Sequence, residues 1–250
     1  MPDPAPGIVA TPPAAPPQHL EPRVVPWRNA LTWFEVAMRL VKRRPAIWAL
    51  LAFFTLVSEF VLQAMPGFGP SLGKIVVPLL ACGMLYAAAA VDGGAPPRIR
   101  YALAAFRAPG GAILAIVIAG VLTFCAEALA AWWIADVNLL ATESSGSDLT
   151  AAAIGGIYAI GILASLPLTF VPFHALFERV RPGAAFAASV RGFLLNTVPL
   201  LVYGAVSLVL LAFGLLTMGV GLVFVLPLWA ASSYVAWKDI FAVPTAPAVH

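Results

Sequence analysis

Two glutamates lie within long apolar segments of the chain and are its first candidates for chemistry. Glu59 and Glu127 each fall inside a hydrophobic run, and Lys74 falls near the start of another. At 1.5 Å per helical residue, Glu59 would lie about 21 Å above Pro45 and Glu127 about 27 Å above Pro109. An ionisable side chain inside a membrane is a candidate functional residue, because burying it unpaired is costly. The three could form one polar site in the outer half of a membrane, for a cation, a headgroup amine or a proton. Alternatively, the glutamates reach the outer headgroups or pair with Lys74.

A second candidate group combines a histidine, a glutamate and two arginines near the end of another apolar run. His174 and Glu178 are four residues apart, which places them on one face of a helix, and Arg179 and Arg181 follow directly. The group could relay protons or bind a lipid phosphate. A structural pair that closes the helix would explain the same spacing.

The chain lacks the short motifs of common enzyme active sites. HExxH, GxSxG, GxGxxG and the Walker phosphate loop are all missing, and Cys82 and Cys125 do not stand in a metal-binding pattern. We therefore expect no enzymatic activity, no catalytic residues, no cofactor and no metal.

The composition indicates a membrane protein. Hydrophobic residues make up 62% of the chain and charged residues 10%, whereas soluble domains are about 25% charged. Residues 192 to 237 contain no Asp, Glu, Lys or Arg. A helix crosses the hydrocarbon core of about 30 Å with about 20 residues, so this run must fold back on itself.

The predicted fold class is an all-α polytopic bundle of six transmembrane helices, arranged as three hairpins that each follow a cytoplasmic interfacial helix. Residues 27–241 would form this domain, between a disordered Pro-rich tail (1–26) and a short tail (242–250), both cytoplasmic. The predicted spans are 46–65, 75–91, 110–134, 150–173, 197–216 and 220–237. Pro167 and Pro172 should kink the fourth span.

A basic amphipathic segment precedes the first span. Helical spacing places Phe34, Ala37, Met38 and Val41 on an apolar face, which predicts a helix lying in the headgroup plane. The alternative is that its cations only flank the first span. Candidate lipid contacts at the cytoplasmic face are Arg39, Lys42, Arg43, Arg44, Arg100, Arg107, His174, Glu178, Arg179, Arg181 and Arg191.

The distribution of positive charge predicts the topology, and three prolines suggest an internal repeat. Of the 14 Lys and Arg residues, all except Lys74 fall on one side of the predicted spans, which favours that side as cytoplasmic. Pro78, Pro167 and Pro227 recur at similar heights in the even-numbered spans. This pattern suggests triplication of one hairpin unit.

Three segments resemble known bacterial proteins. They are Trp33 to Trp48, which ends in KRRPAIW, the run from Ala187 to Pro199 that contains Asn196-Thr197, and the closing stretch from Tyr234 to Phe241. The chain resembles uncharacterised six-helix inner-membrane proteins, namely the YciC-like family and the membrane domain attached to some glycerophosphodiesterases. The resemblance implies a six-helix integral membrane protein and carries over no functional residues. It implies no phosphodiesterase activity, because the chain has no such domain.

From these patterns we expect a non-enzymatic protein of the bacterial inner membrane, acting as a scaffold or accessory subunit or organising lipids. The alternative is a small transporter or lipid flippase with an acidic site in the outer half of the membrane. The expected partners are membrane lipids with anionic headgroups and a protein partner in a larger assembly, with no nucleic acid.

Overall fold

The computed structural model describes residues 21–65, 68–139 and 150–244. Within these ranges all regular secondary structure is helical, which confirms the all-α class. The α-helices are α1 (Asn29–Lys42), α2 (Pro45–Ala64), α3 (Gly69–Asp92), α4 (Gly110–Ala135), α5 (Ala151–Ser165), α6 (Val171–Leu176), α7 (Pro182–Leu195), α8 (Thr197–Leu216) and α9 (Leu222–Ile240). Short 3₁₀ segments cover Ile99–Leu103, Ala105–Arg107 and Leu166–Leu168.

Four of the described helices are long and apolar enough to cross a membrane. They are α2, α3 over Ser71–Asp92, α4 and α8. Helix α5 has 15 residues, which corresponds to about 22 Å and falls short of a hydrocarbon core of about 30 Å.

The predicted fourth span, residues 150–173, is not one kinked helix. Helix α5 ends at Ser165, a 3₁₀ turn that contains Pro167 follows, and α6 begins at Val171 with Pro172 in its first turn. A proline inside a helix removes a backbone donor and clashes with the carbonyl four residues earlier, whereas the first turn tolerates it. Two prolines five residues apart therefore divide this segment into two helices.

Helix α1 packs against protein along the face that the sequence assigned to lipid. Its buried residues are Ala30, Trp33, Ala37 and Leu40, and its main neighbour is α9. Met38, which was predicted to face the membrane, is exposed. Phe34, Ala37 and Val41 of the predicted apolar face pack against the core, so three of its four residues meet protein, and the interfacial position of the helix stays a prediction.

Single contacts link three pairs of consecutive helices. The Arg43 guanidinium, just before α2, donates a hydrogen bond of 3.0 Å to the Val91 carbonyl near the end of α3. Glu127, late in α4, lies over Gly161 of α5. The Tyr203 hydroxyl of α8 contacts the Trp229 carbonyl of α9 at 3.5 Å.

The segment before α1 packs against the bundle from residue 23 onward. The Arg23 backbone N–H donates to the Ile240 carbonyl at 2.8 Å, and Val25 is buried. The predicted disordered tail, residues 1–26, therefore includes residues that pack against the bundle. Polar groups on other helices pair with the backbone of these residues. Residues 1–20 of that tail, and residues 245–250 of the C-terminal tail, lie outside the described residues.

Candidate functional site

A basic cavity of about 410 Å³ opens between α3, the start of α4, the end of α6 and the 3₁₀ segments Ile99–Leu103 and Ala105–Arg107. Its lining includes three arginines and two tyrosines, which are Arg100, Arg107, Arg179, Tyr86 and Tyr101. The rest of the described lining is apolar and contains no acidic residue. We call this space the basic cavity.

A glycine on α3 sets the position of the first 3₁₀ segment. A Cβ atom on Gly83 would lie 2.7 Å from the Tyr101 carbonyl oxygen and 2.7 Å from the Ala102 Cα atom. Only a residue without a side chain allows the two backbones to approach so closely. Gly83 therefore holds Ile99–Leu103, which carries Arg100 and Tyr101, against α3.

Arg179 reaches the basic cavity from an unusual backbone conformation. Its φ angle is 53°, in the left-handed region, which costs a residue with a Cβ roughly 1–2 kcal/mol. The turn is closed by a hydrogen bond of 3.3 Å from the Val180 N–H to the His174 carbonyl. Glycine would adopt this backbone conformation at less cost than arginine.

The basic cavity also reaches the N-terminus of α4 through Pro109. A helix N-terminus carries partial positive charge and backbone N–H groups that have no partner within the helix. This charge adds to that of the arginines and favours an anion.

The arginines of the basic cavity have no acidic partner among the described residues. The ion pairs of those residues are Arg23–Asp239, His174–Glu178, Arg191–Glu21 and Lys238–Asp92. None of them includes Arg100, Arg107 or Arg179. Guanidinium groups bind phosphate through paired, charge-assisted hydrogen bonds, so the cavity has the chemistry of a phosphate site.

The other predicted basic lipid contacts are exposed but do not line this cavity. They are Arg39, Lys42, Arg43, Arg44, Arg181 and Arg191. Arg43 also hydrogen-bonds the last turn of α3, where a cation is favoured by the helix dipole. Arg191 contacts Glu21 at 3.2 Å, and both side chains are largely exposed.

His174 and Glu178 form the pair that their spacing predicts, but neither lies at the lipid surface. The His174 Nδ1 and Glu178 Oε2 atoms are 2.9 Å apart, and both residues are buried. Phe241 packs edge-on to the imidazole with the ring centres 4.4 Å apart. Burial removes both side chains from the lipid-facing surface, and Trp237 and Phe241 of the C-terminal segment cover His174.

The structure brings Glu59, Lys74 and Glu127 to the end of the bundle opposite the basic cavity. Gln63 donates to the Glu59 carboxylate at 2.8 Å. The Lys74 ammonium lies 4.0 Å from the centre of the Phe124 ring. The Glu59 Oε2 atom lies 3.8 Å from where a Cβ on Gly73 would be, next to Lys74, and Glu127 lies one turn after Phe124 on α4.

Within residues 21–65, 68–139 and 150–244, no three His, Cys, Asp or Glu side chains come together as metal binding would require.

Asp239 joins the N-terminal segment to the end of α9. Its carboxylate accepts hydrogen bonds from Arg23 at 2.6 Å, Asn29 at 2.7 Å and the Trp33 indole at 2.9 Å. Partial burial raises the pKa of Asp239. The hydrogen bonds from Trp33, Asn29 and Arg23, together with the Arg23 charge, outweigh that effect, so the pKa lies below its usual value.

Sequence reasoning missed Tyr86, Asp239 and the contact of Asp92 with Lys238 and Tyr234. Asp92 accepts from the Tyr234 hydroxyl at 3.0 Å and from the Lys238 ammonium. These partners are far apart in the chain, and no local spacing marks them. Tyr101 could have been found, because it lies between two predicted lipid contacts, Arg100 and Arg107.

Comparisons of this chain with protein-family models, curated proteins and solved structures found no significant match.

Proposed function

We propose that this protein is a non-enzymatic, multi-pass protein of the bacterial inner membrane that binds and organises anionic lipids at the cytoplasmic face. The basic cavity is the single observation that carries the proposal. Three arginines from two separate parts of the chain line it, and no acidic residue of the described lining neutralises them. A phosphate held there would accept from Arg100, Arg107 and Arg179.

The proposed topology is six crossings in three hairpins, with the basic cavity on the cytoplasmic side. Gathering of the arginines at one end of the bundle supports this orientation. In this arrangement α5, the 3₁₀ turn and α6 together make the fourth crossing. Irregular backbone is tolerated at membrane depth where protein covers it, and Leu166, Phe170 and Val171 are buried.

Labelling of single cysteines with a membrane-impermeant reagent tests the topology. A cysteine in the 135–139 segment should react from the periplasmic side, and one at Arg98 should react only after the membrane is opened. Reaction of both from the same compartment would contradict the proposed crossings.

Lipid retention in mild detergent tests the binding function. The purified protein is exchanged against phosphatidylglycerol or phosphatidylcholine, and bound lipid is counted by native mass spectrometry. The double variant Arg100→Gln, Arg107→Gln should lose about 2 kcal/mol of preference for phosphatidylglycerol, or roughly thirtyfold in affinity. Arg191→Gln is the control, because this exposed arginine lies outside the basic cavity. Equal lipid preference in both variants would refute the assignment of the cavity.

A scaffold or accessory-subunit role would place a protein partner on the same membrane domain. Purification in mild detergent with quantitative mass spectrometry tests this role. A stable assembly that survives the Arg100→Gln, Arg107→Gln change would support a protein partner that is independent of the lipid site. A monodisperse protein that retains lipid and no partner would contradict it.

A small transporter or lipid flippase is the second candidate function. The observation that favours it is that Lys74 of α3 lies between Glu59 of α2 and the Glu127 end of α4, since Glu59 lies beside Gly73 and the Lys74 ammonium lies over Phe124. The Glu59→Gln, Glu127→Gln variant should abolish proton-coupled transport or lipid scrambling in vesicles. Glu35→Gln is the control, because Glu35 is exposed on α1. Unchanged activity in the double glutamine variant would dismiss this candidate.

A further inference from the structure

A second cavity, of about 370 Å³, lies between α3, α4, α5, α8 and α9. Its apolar lining includes Cys82, Leu85, Ile116, Ala119, Leu226 and Ala230. We call it the apolar cavity. Ligand pockets occupy roughly 300–1,000 Å³, so its volume is within the range of a binding site.

Three of the hydroxyl groups around the apolar cavity are directed at their own helices. Thr123 donates to the Ala119 carbonyl at 3.1 Å, Ser165 to the Ile162 carbonyl at 2.8 Å, and Ser233 to the Ala230 carbonyl at 3.0 Å. The Ser207 Oγ and Trp229 Nε1 atoms, which belong to two other lining residues, have no hydrogen-bond partner among the described residues. The rest of the wall is mainly hydrocarbon surface. Such a wall suits an alkyl chain better than a polar ligand.

The two cavities are neighbours along two helices. On α3, Cys82 and Leu85 line the apolar cavity and Tyr86 lines the basic cavity. On α6, Phe173 lines the apolar cavity and Leu176 lines the basic one. One helical turn rises about 5.4 Å, so the lining residues of the two cavities are about one turn apart along α3 and α6.

We infer that the apolar cavity holds one acyl chain of the anionic phospholipid whose phosphate lies in the basic cavity. This inference rests on the proposed lipid-binding function and names the ligand as an acyl-chain lipid rather than free phosphate. An apolar cavity of about 150 Å³ accommodates benzene, so the apolar cavity has room for on the order of a dozen carbons. The neighbouring arginines account for the charged end of the same molecule.

The dependence of affinity on chain length separates this inference from simple phosphate binding. Phosphatidylglycerols with short and long acyl chains are titrated into the full-length protein in mild detergent, with inorganic phosphate as a chain-free competitor. Each methylene buried in the cavity should raise affinity roughly fourfold until the cavity is full. Competition by inorganic phosphate at equal potency would overturn the inference.

Filling the apolar cavity is the matching change in the protein. The Ala119→Leu, Ala230→Leu variant should lose at least tenfold in affinity for the long-chain lipid and keep its affinity for the short-chain lipid. Ala205→Leu is the control, because Ala205 is exposed on α8 and does not line the cavity. Unchanged long-chain affinity in the filled variant would overturn the inference and leave the proposed function intact.

If the Ala119→Leu, Ala230→Leu variant does not fold, a fluorescence measurement on the wild-type protein tests the inference instead. Trp229 lines the apolar cavity, so a lipid brominated on its acyl chains should quench its emission at one lipid per protein. The Trp229 signal is the difference between wild type and Trp229→Phe. Binding of the brominated lipid without quenching of this difference would refute occupancy of the cavity. Absence of any preference for phosphatidylglycerol in wild type would instead refute the proposed function.

Discussion

Asn196 and Val25 are joined by a buried hydrogen bond of 2.8 Å, in which the Val25 backbone N–H donates to the Asn196 side-chain oxygen. The same side chain donates from Nδ2 to the Arg23 carbonyl at 2.9 Å. Asn196 therefore provides hydrogen-bond partners for two backbone groups of the segment before α1, the Val25 N–H and the Arg23 carbonyl. It lies at the junction of α7 and α8 and so ties the N-terminal segment to the second half of the chain.

We predict that Asn196→Ala releases the N-terminal segment and destabilises the bundle. A buried N–H group left without an acceptor costs about 1–3 kcal/mol, so the melting temperature in mild detergent should fall. Trypsin should also cleave more rapidly after Arg23. Thr197→Ala is the control, because the Thr197 hydroxyl donates only to nearby carbonyls of α7. A variant with the same melting temperature and cleavage rate as this control would show that the contact is dispensable.

We predict that Arg179→Gly weakens lipid binding without lowering stability. Glycine relieves the left-handed backbone at a gain of roughly 1 kcal/mol, offset in part by its greater freedom in the unfolded chain. The melting temperature should therefore hold or rise, while affinity for phosphatidylglycerol falls about fivefold with the loss of one charge.

Asp136→Gly is the matched control for this change. Asp136 has a φ angle of 54° at the end of α4 and lies outside the basic cavity. It should gain stability in the same way without a change in lipid affinity. Equal affinities in the Arg179 and Asp136 variants would mean that Arg179 does not contact the lipid.

We predict that Gly83→Ala weakens lipid binding without removing any charge. The new methyl group would lie 2.7 Å from the backbone of Tyr101 and Ala102, so the 3₁₀ segment must move and displace Arg100. Affinity for phosphatidylglycerol, measured as bound lipid per protein, should fall at least severalfold. Gly155→Ala is the control, because nothing lies within 4 Å of its added Cβ. Full binding by the Gly83 variant would show that the position of Ile99–Leu103 does not matter.

We predict that Asp239 makes the protein sensitive to acid. Its pKa is lowered in the folded state, so the carboxylate stabilises the fold above its unfolded pKa of about 3.9. That contribution is lost as the pH falls through the lower folded value. The difference in melting temperature between wild type and Asp239→Asn should therefore be largest near neutral pH and shrink below about pH 4.

Glu21→Gln provides the comparison for the pH series. Glu21 is paired with Arg191 at the surface, where ion pairs contribute little. Its melting curve should follow wild type at every pH. A wild-type advantage over Asp239→Asn that does not change with pH would contradict a titrating role for this carboxylate.

Local patterns in the chain determined which segments are helical. Apolar runs bounded by charges, glycine and proline predicted α2, α4 and α8 to within one residue at each end, and α3 except for six residues at its start. These four helices are long and apolar enough to span a membrane. The same local reasoning predicted the contact between His174 and Glu178, although α6 ends at Leu176 and Glu178 lies just beyond it. These predictions succeed because backbone hydrogen bonding and apolar length are properties of contiguous residues.

Only the tertiary structure decided what each face meets. The Trp33 face of α1 is buried against α9 rather than lipid, and aromatic residues of the C-terminal segment cover His174. Tyr86, Arg100 and Arg179 come from distant parts of the chain to line one cavity. Hydropathy is equally satisfied by lipid and by apolar protein, so it cannot distinguish the two environments. The packing of distant helices makes that distinction, and it places the basic cavity and the apolar cavity side by side.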